Sequence, residues 1–331
     1  MNGLRKVPEN APAVRTIEVD EEAAGQRLDN FLVRLLKGVP RSHLYRMVRT
    51  GEVRVNSRRI DVTYRVAAGD RVRIPPVRTA VGATAGRPAP ATPRAPLLGH
   101  TVLFEDDHLL IIDKPAGMAV HGGSGVSRGV IEQLRLERPQ SRFLELVHRL
   151  DRDTSGVLLL AKKRSALTHL HAQLRDGTVE KHYLAVVKGE WRRSRQTVSL
   201  PLTKYVTDAG ERRVSVDEEG MRAQTTFNLE QGFRGYSLVR AELHTGRTHQ
   251  IRVHLAHLGF PIVGDEKYGD FALNKTLART GLKRMFLHAA EATFTHPASA
   301  ERVRIEAPLP ADLVAFVATL ERAGTGAPGS R

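Results

Sequence analysis

HRLDRDTSGVLLLAK, residues His148 to Lys162, joins two unlike halves. Val157 to Ala161 is a short aliphatic run between Gly156 and Lys162, and it reads as a buried strand. The half before it is charged: Arg149, Asp151, Arg152 and Asp153 crowd its approach. Packing alone does not call for that charge. A turn held against a rigid strand is a common seat for functional groups, and Asp151 is the candidate nucleophile or general base there. Arg149 and Arg152 would favour its ionised form if their side chains turn toward it. A purely structural Asp–Arg turn fits the same pattern, because ion-pair networks arise without catalysis.

Around this stretch, from about Gly99 onward, short strands are interleaved with a few helices. HLLIID (108–113), VLLLAK (157–162), KHYLAVVKG (181–189), TTFNLEQ (225–231), YSLVRAELHT (236–245) and EATFTH (291–296) read as strands. A helix from about Ser165 to Arg175 carries Leu167, Leu170 and Leu174 on one face, and another from about Gln250 to Leu258 is stopped by Gly259 and Pro261. Neighbouring strands outside βαβ order predict an α+β fold with a mixed, largely antiparallel sheet.

Toward the N-terminus the texture changes. Leu28, Phe31, Leu32, Leu35 and Leu36 mark one face of an amphipathic helix that Pro40 breaks. Ser42 can cap a second helix through Val48, with Gly51 placed for a left-handed stop. GEVRVNSRRI and VRIPP then supply short strands. Arg41, Arg46, Arg49, Arg54, Arg58 and Arg59 fall within this small unit, with Glu52 the sole acidic residue between them. A merely solvated face usually mixes both signs, so this one-signed cluster points to nucleic acid. Residues 76–98 are rich in Pro, Ala and Gly and read as a linker. The expected organisation is a tail over 1–16, a small basic unit over 17–75, the linker, a larger unit over 99–318 and a C-terminal tail over 319–331.

A chain of 331 residues exceeds the usual single domain. Its net charge of +15 makes RNA or DNA the leading partner, while aromatics at 5% argue against a membrane-surface helix. The absence of cysteine excludes disulfides and thiolate metal sites and fits a reducing, cytoplasmic setting. No apolar run approaches the ~20 residues of a membrane span. A monomer is expected, since no segment offers an obvious apolar partner face.

Several constellations can be set aside. GGSGVSRG (122–129) lacks a P-loop lysine and Rossmann spacing, and DTSGV is not a nucleophile elbow. His244, His249, His254 and His257 cluster near one helix, but without thiolates or neighbouring acids they read as hydrogen-bonded or RNA-facing residues rather than metal ligands. No cofactor and no metal are expected.

Taken together, the motifs resemble those of the RluA-type pseudouridine synthases. HRLDRDTSG matches the family's H-R-L-D-x-x-T-S-G, KHYLAVVKG its second motif, and TGRTHQIRVHLAHLG (245–259) with VGDEKYG (263–269) its third. LFEDDHLLIIDKPAGMAVH (103–121) is similar to the family's opening strand and turn, and residues 26–56 resemble an S4 RNA-binding module. The likeness spans about 17–318, in order; the linker is longer than the family pattern. It implies an S4-like module plus the pseudouridine synthase fold, a mixed sheet flanked by helices and loops around a central cleft. The implied reaction isomerises uridine to pseudouridine in RNA. Asp151 would then be the nucleophile, Tyr183 the platform under the uracil, and Arg252 the partner of Asp151. Arg149 would fill the gap left by the turned-out base, and Arg41, Arg46, Arg49, Arg54 and Arg59 would touch RNA. KGVPRS, RTGEVRVN and VRIPP resemble the branch that acts on 23S large-subunit ribosomal RNA near the peptidyl-transferase centre.

By pattern alone Tyr183 could be a core aromatic and Arg252 a solvated one. Two other classes also fit. A non-catalytic RNA-binding or ribosome-assembly protein would have a structural Asp151. A glycosidic hydrolase would need a second carboxylate, for which Asp153 is the near candidate.

Overall fold

The computed structural model describes residues 14–20, 23–36, 38–77, 99–122 and 128–325. Most of the N-terminal tail, nearly all of the expected linker, the middle of the 122–129 loop and the last residues of the chain lie outside them. Contacts divide the chain into two compact units, 1–96 and 97–331.

The first unit holds β1 (Arg15–Glu18), α1 (Leu28–Leu35), α2 (Arg41–Arg49), β2 (Arg54–Val55) and β3 (Arg71–Ile74). Its three strands pair in the order β1-β3-β2, all antiparallel. The apolar stripe of α1 works as its spacing requires: Leu28, Phe31 and Leu32 are buried with Leu44, Met47 and Val48 of α2 and with Val55 and Val72 of the sheet. Ser42 does not cap α2. Pro40 is the N-cap residue and its carbonyl accepts from the His43 and Leu44 N–H groups, which leaves Ser42 two residues too deep to serve. Gly51 does take the left-handed conformation, with φ 77°.

The second unit runs β4 (Thr101–Glu105), β5 (Leu109–Lys114), α3 (Val130–Glu137), β6 (Glu145–Leu146), β7 (Ser155–Ala161), α4 (Arg164–Asp176) and β8 (Glu180–Lys188). It continues with β9 (Arg195–Ser199), β10 (Leu202–Val206), β11 (Arg212–Val216), β12 (Gln224–Phe233), β13 (Tyr236–Leu243), α5 (Gln250–His257) and α6 (Phe271–Arg279). β14 (Leu287–Thr295), β15 (Arg302–Glu306) and α7 (Ala311–Thr325) complete it. A ten-stranded sheet has the path β4-β5-β7-β14-β8-β13-β12-β9, with β15 on β14 and β6 on β7. Its β7–β14 pair is parallel and its other pairs antiparallel, the mixed α+β sheet that the strand order predicts. β10 and β11 form a separate hairpin.

Strand β7 explains the aliphatic run. Every one of its residues is buried. Leu158 and Leu160 belong to one core with Leu110 and Ile112, whereas Val157, Leu159 and Ala161 belong to another with Leu109 and Ile111. Side chains alternate across a strand, so a strand with a core on each side must be apolar at every position.

Two boundaries differ from the sequence reading. β1 begins at Arg15, inside the expected tail, because its backbone pairs with β3. Helix α7 continues past residue 318 because Leu313, Phe316 and Leu320 bury one face. Among the described residues, no helix is long and apolar enough to cross a membrane.

Candidate active site

The turn after Leu150 delivers Asp151 to the entrance of β7, and its backbone is fixed from three sides. The Asp151 carbonyl accepts from the Thr154 N–H at 3.2 Å. Lys114, fully buried at the end of β5, donates to the carbonyls of Pro115, Met118 and Arg152 at 2.7, 2.9 and 3.0 Å. Gly156 has φ 109°, and a Cβ there would stand 2.1 Å from the Ala289 carbonyl oxygen, so the parallel contact with β14 admits no side chain.

Burial lowers the Lys114 ammonium to about 7, with the neighbouring Asp153 opposing and Arg284 adding to the shift. Lys114→Met leaves three carbonyls without their donor and is expected to cost on the order of 3 kcal/mol in denaturant unfolding. The unfolded chain holds this proton up to its ordinary value of 10.5, so Lys114 makes the wild type gain stability as pH rises from about 7 to 10.5. The methionine variant should lack that gain.

Helix α5 supplies the second side of the site. Gln250 fixes the turn before it, accepting from Thr245 Oγ1 and the Arg247 N–H at 2.7 and 3.0 Å and donating to the Gln224 carbonyl at 2.9 Å. Arg252 then reaches Asp151: Nη1 donates to Oδ2 at 2.9 Å. Behind it, Arg252 Nε and Nη2 donate to the two oxygens of Asp265 at 2.7 and 2.8 Å. The Tyr268 ring lies 5.1 Å below the guanidinium. Burial opposes the Arg252 charge, but the hydrogen bonds and charge of Asp265, followed by those of Asp151, raise its pKa above the ordinary arginine value. Burial would likewise raise Asp265, and Arg252 together with the N–H groups of Lys267 and Tyr268 outweighs it, holding this carboxyl below the usual range.

Tyr183 on β8 is only 7% exposed. It belongs to the core and also lines the cleft with Asp151. Burial raises its phenol, with the Asp151 charge adding to the shift. The cleft, about 610 Å³, is bordered by Arg149, Arg175, Lys181, Arg247 and Arg252, while Asp151 is its sole acidic lining residue among those described. Its size suits one nucleotide and its charge suits a polyanion.

The flanking arginines do not do what sequence adjacency suggests. Arg152 turns to Asp153, Nε to Oδ1 at 3.1 Å, and Arg149 is exposed at the cleft rim. The carboxylate is instead served by Arg252, 101 residues away in sequence. Asp153 is paired with Arg152 and does not line the cleft, so the second carboxylate of a glycosidic hydrolase is not in place.

Sequence reasoning read His249 only as one of four hydrogen-bonded or RNA-facing histidines and assigned no role to Lys114, Lys181, Asp265 or Tyr268. VGDEKYG was the available signal for the last two. Gly264, at φ 75° with its Cβ position 2.1 Å from the Arg284 carbonyl oxygen, brings that loop in close enough for Asp265 to meet Arg252. The four histidines have separate partners: His254 bonds Thr225 and the Leu200 carbonyl, His244 bonds Thr226, His257 is exposed, and His249 faces Tyr268 and Asp151.

In the first unit, Arg41, Arg46, Arg49, Arg54 and Arg59 are all exposed. Arg54 shares a concavity on the outer sheet face with Arg71 and Arg73, which the sequence reading left out, while Arg41, Arg46 and Arg49 project from α2.

The sequence profile of RNA pseudouridylate synthase matches residues 108–257, and that of the S4 domain matches 26–72. The Salmonella typhimurium protein named ribosomal large subunit pseudouridine synthase C is 54% identical over 300 residues, covering 90% of this chain and 94% of that protein. Its namesake from Pasteurella multocida is 50% identical over 311 residues, covering 93% and 94%. Among solved structures, human RNA pseudouridylate synthase domain containing 1 aligns with a TM-score of 0.55 at 25% identity, covering 71% of this chain and 98% of that one. Human RNA pseudouridylate synthase domain containing 4 shares the fold, with a TM-score of 0.55 at 24% identity over 66% of this chain and 92% of its own. These likenesses agree with the motifs, and the chain belongs to the RNA pseudouridylate synthase family, with an S4 domain preceding the synthase domain.

Proposed function

We propose that the protein isomerises uridines to pseudouridine in 23S large-subunit ribosomal RNA, acting as a cytoplasmic monomer. The N1–C1′ bond breaks, the uracil turns, a C5–C1′ bond forms, the proton on C5 is released to solvent and N1 takes up a proton in its place. Asp151 is the nucleophile, Arg252 holds its carboxylate, Tyr183 stacks on the uracil, and Arg149 takes the place of the turned-out base. Turning out a base costs a few kcal/mol, and an aromatic platform returns about 1–3 of it. The observation that carries this reading is the contact of Arg252 Nη1 with Asp151 Oδ2 at 2.9 Å in a cationic cleft that also holds Tyr183. Arg41, Arg46, Arg49, Arg54 and Arg59 of the S4 domain contribute phosphate contacts. The synthase domain is expected over 99–318.

The direct test is tritium release from large-subunit ribosomal RNA labelled at uridine C5. The wild type should release it, and an RNA that is bound without release overturns the reading in favour of a binding protein. Lys181 supplies a second test. Lys181 lines the cleft, where burial lowers its pKa, and its amine is a candidate phosphate ligand there. Lys181→Met is expected to weaken RNA binding and to reduce the slope of log affinity against log salt by about 0.7, one single-strand phosphate contact. An unchanged slope would remove Lys181 from the RNA path.

A further inference from the structure

The two oxygens of Asp151 are treated differently. Oδ2 accepts from Arg252, whereas Oδ1 stands 3.8 Å from Nε2 of His249. That gap is longer than a hydrogen bond and too short for an intervening water. The other nitrogen of the same ring, Nδ1, lies 2.9 Å from the Tyr268 hydroxyl. This hydroxyl also accepts from the Val214 N–H of β11 at 2.9 Å. A hydroxyl has a single proton, and with the Val214 N–H pointing at its oxygen that proton is directed to Nδ1. Nδ1 is then an acceptor, and the neutral imidazole carries its hydrogen on Nε2, facing Asp151.

The backbone gives independent support. His249 sits at φ 55°, ψ 19°, a left-handed conformation, at the N-cap of α5, yet its side chain caps nothing. Glycine or asparagine fits such a position with less strain, and a β-carbon there costs on the order of 1 kcal/mol. The conformation directs the ring back toward Asp151 and Tyr268 instead of along the helix.

We propose that His249 is a positioning residue for the isomerisation: its Nε2–H, fixed by the Tyr268 hydroxyl, holds Asp151 Oδ1 toward the uridine while Arg252 holds Oδ2. The inference rests on the reading of Asp151 as the nucleophile. Asp151 faces the ring from the turn before β7, Arg252 from α5, and Asp265, Lys267 and Tyr268 from the loop after it. Burial lowers the His249 pKa, Asp151 opposes this, Arg252 and Lys267 add to it, and Asp265 opposes it, with a net downward direction. The neutral ring is therefore the working form at neutral pH. Protonation would turn the contact into a closed ion pair that withdraws Oδ1 from the substrate, so the rate for bound RNA falls in acid as His249 gains its proton.

The experiment is single-turnover tritium release from saturating uridine-labelled large-subunit ribosomal RNA across pH, with RNA affinity and thermal unfolding measured in parallel. His249→Ala should slow the step about 100-fold at neutral pH with RNA affinity kept, the scale of a reactive group left about an ångström out of place. His249→Gln places an amide N–H near the Nε2 position and does not titrate. It should recover to within about 10-fold of wild type and lose the acid limb. Tyr268→Phe removes the hydrogen bond that favours the neutral ring, so its acid limb should move to higher pH. Wild-type rates in His249→Ala, an acid limb retained in His249→Gln, or an unmoved limb in folded Tyr268→Phe would each overturn the inference. So would a loss of affinity with an unchanged rate for bound RNA. If the wild type itself released no tritium, the reading of Asp151 would fail instead, so the two failures are distinct.

Discussion

Asp151→Ala and Asp151→Asn are each expected to lower tritium release by about 10⁴-fold or more, the scale seen when a reacting group is removed and only binding remains. The asparagine variant is the sharper of the two. It keeps the shape and an oxygen for Arg252 Nη1, so what it removes is the charge of the proposed nucleophile. The fold should tolerate both changes. The Asp151 side chain is 26% exposed and takes one hydrogen bond from Arg252, which keeps its two bonds to Asp265. Urea unfolding should therefore shift by about 1 kcal/mol or less, in line with a partly exposed ion pair. RNA affinity should hold or rise slightly, since a negative charge leaves a cationic cleft. A variant that releases tritium at the wild-type rate would make Asp151 a structural residue.

Asp265→Ala should be the costliest single change to the fold, and it should lower activity as well. This carboxylate is 1% exposed and accepts from Arg252 twice and from the N–H groups of Lys267 and Tyr268 at 2.8 and 3.1 Å. Its loss leaves a nearly buried guanidinium with Asp151 alone, and breaking such a pair costs about 3–5 kcal/mol. Activity should fall with it, because the freed Arg252 no longer approaches Asp151 from a fixed direction. The pH dependence has a definite sign. The carboxyl is held below its unfolded value of 3.8, so its contribution is complete above that pH and is lost as pH falls through the lower folded value. The stability gap between wild type and Asp265→Asn, followed by urea unfolding, should be constant near neutrality and shrink only below about pH 3.8. A gap that closes well above that pH would mean Arg252 is not the dominant partner.

The sequence was most informative where one local rule decides the outcome. The aliphatic run of β7, the leucine face of α4 and the glycine stop after α2 follow from periodicity and backbone preference, and the structure has them. The nucleophile candidate was also legible, from the charge placed against that strand. What adjacency could not provide is side-chain direction. Arg152 is next to Asp151 in sequence yet bonds Asp153, while the working partner lies on a helix whose orientation depends on its packing against β11 and β12. Asp265 and Tyr268 were visible as part of a motif but without roles, because their roles exist only relative to Arg252. Ser42 fell to a simpler competitor: Pro40, with its φ already set, starts the helix two residues earlier.

The placement of Asp151 in the turn that leads into a strand with a core on each side has a consequence for how the enzyme opens. Amides of Val157 to Leu160 can exchange with solvent only if both cores part, which is close to unfolding the whole unit. The turn that carries the carboxylate is anchored to that strand by Lys114 and Gly156, so it has little freedom to breathe separately. The thermal fluctuation that lets a nucleotide in must therefore come from the opposite wall of the cleft, from the segment between β13 and α5. Hydrogen exchange should find the protein slowest beside Asp151 and fastest across the cleft from it.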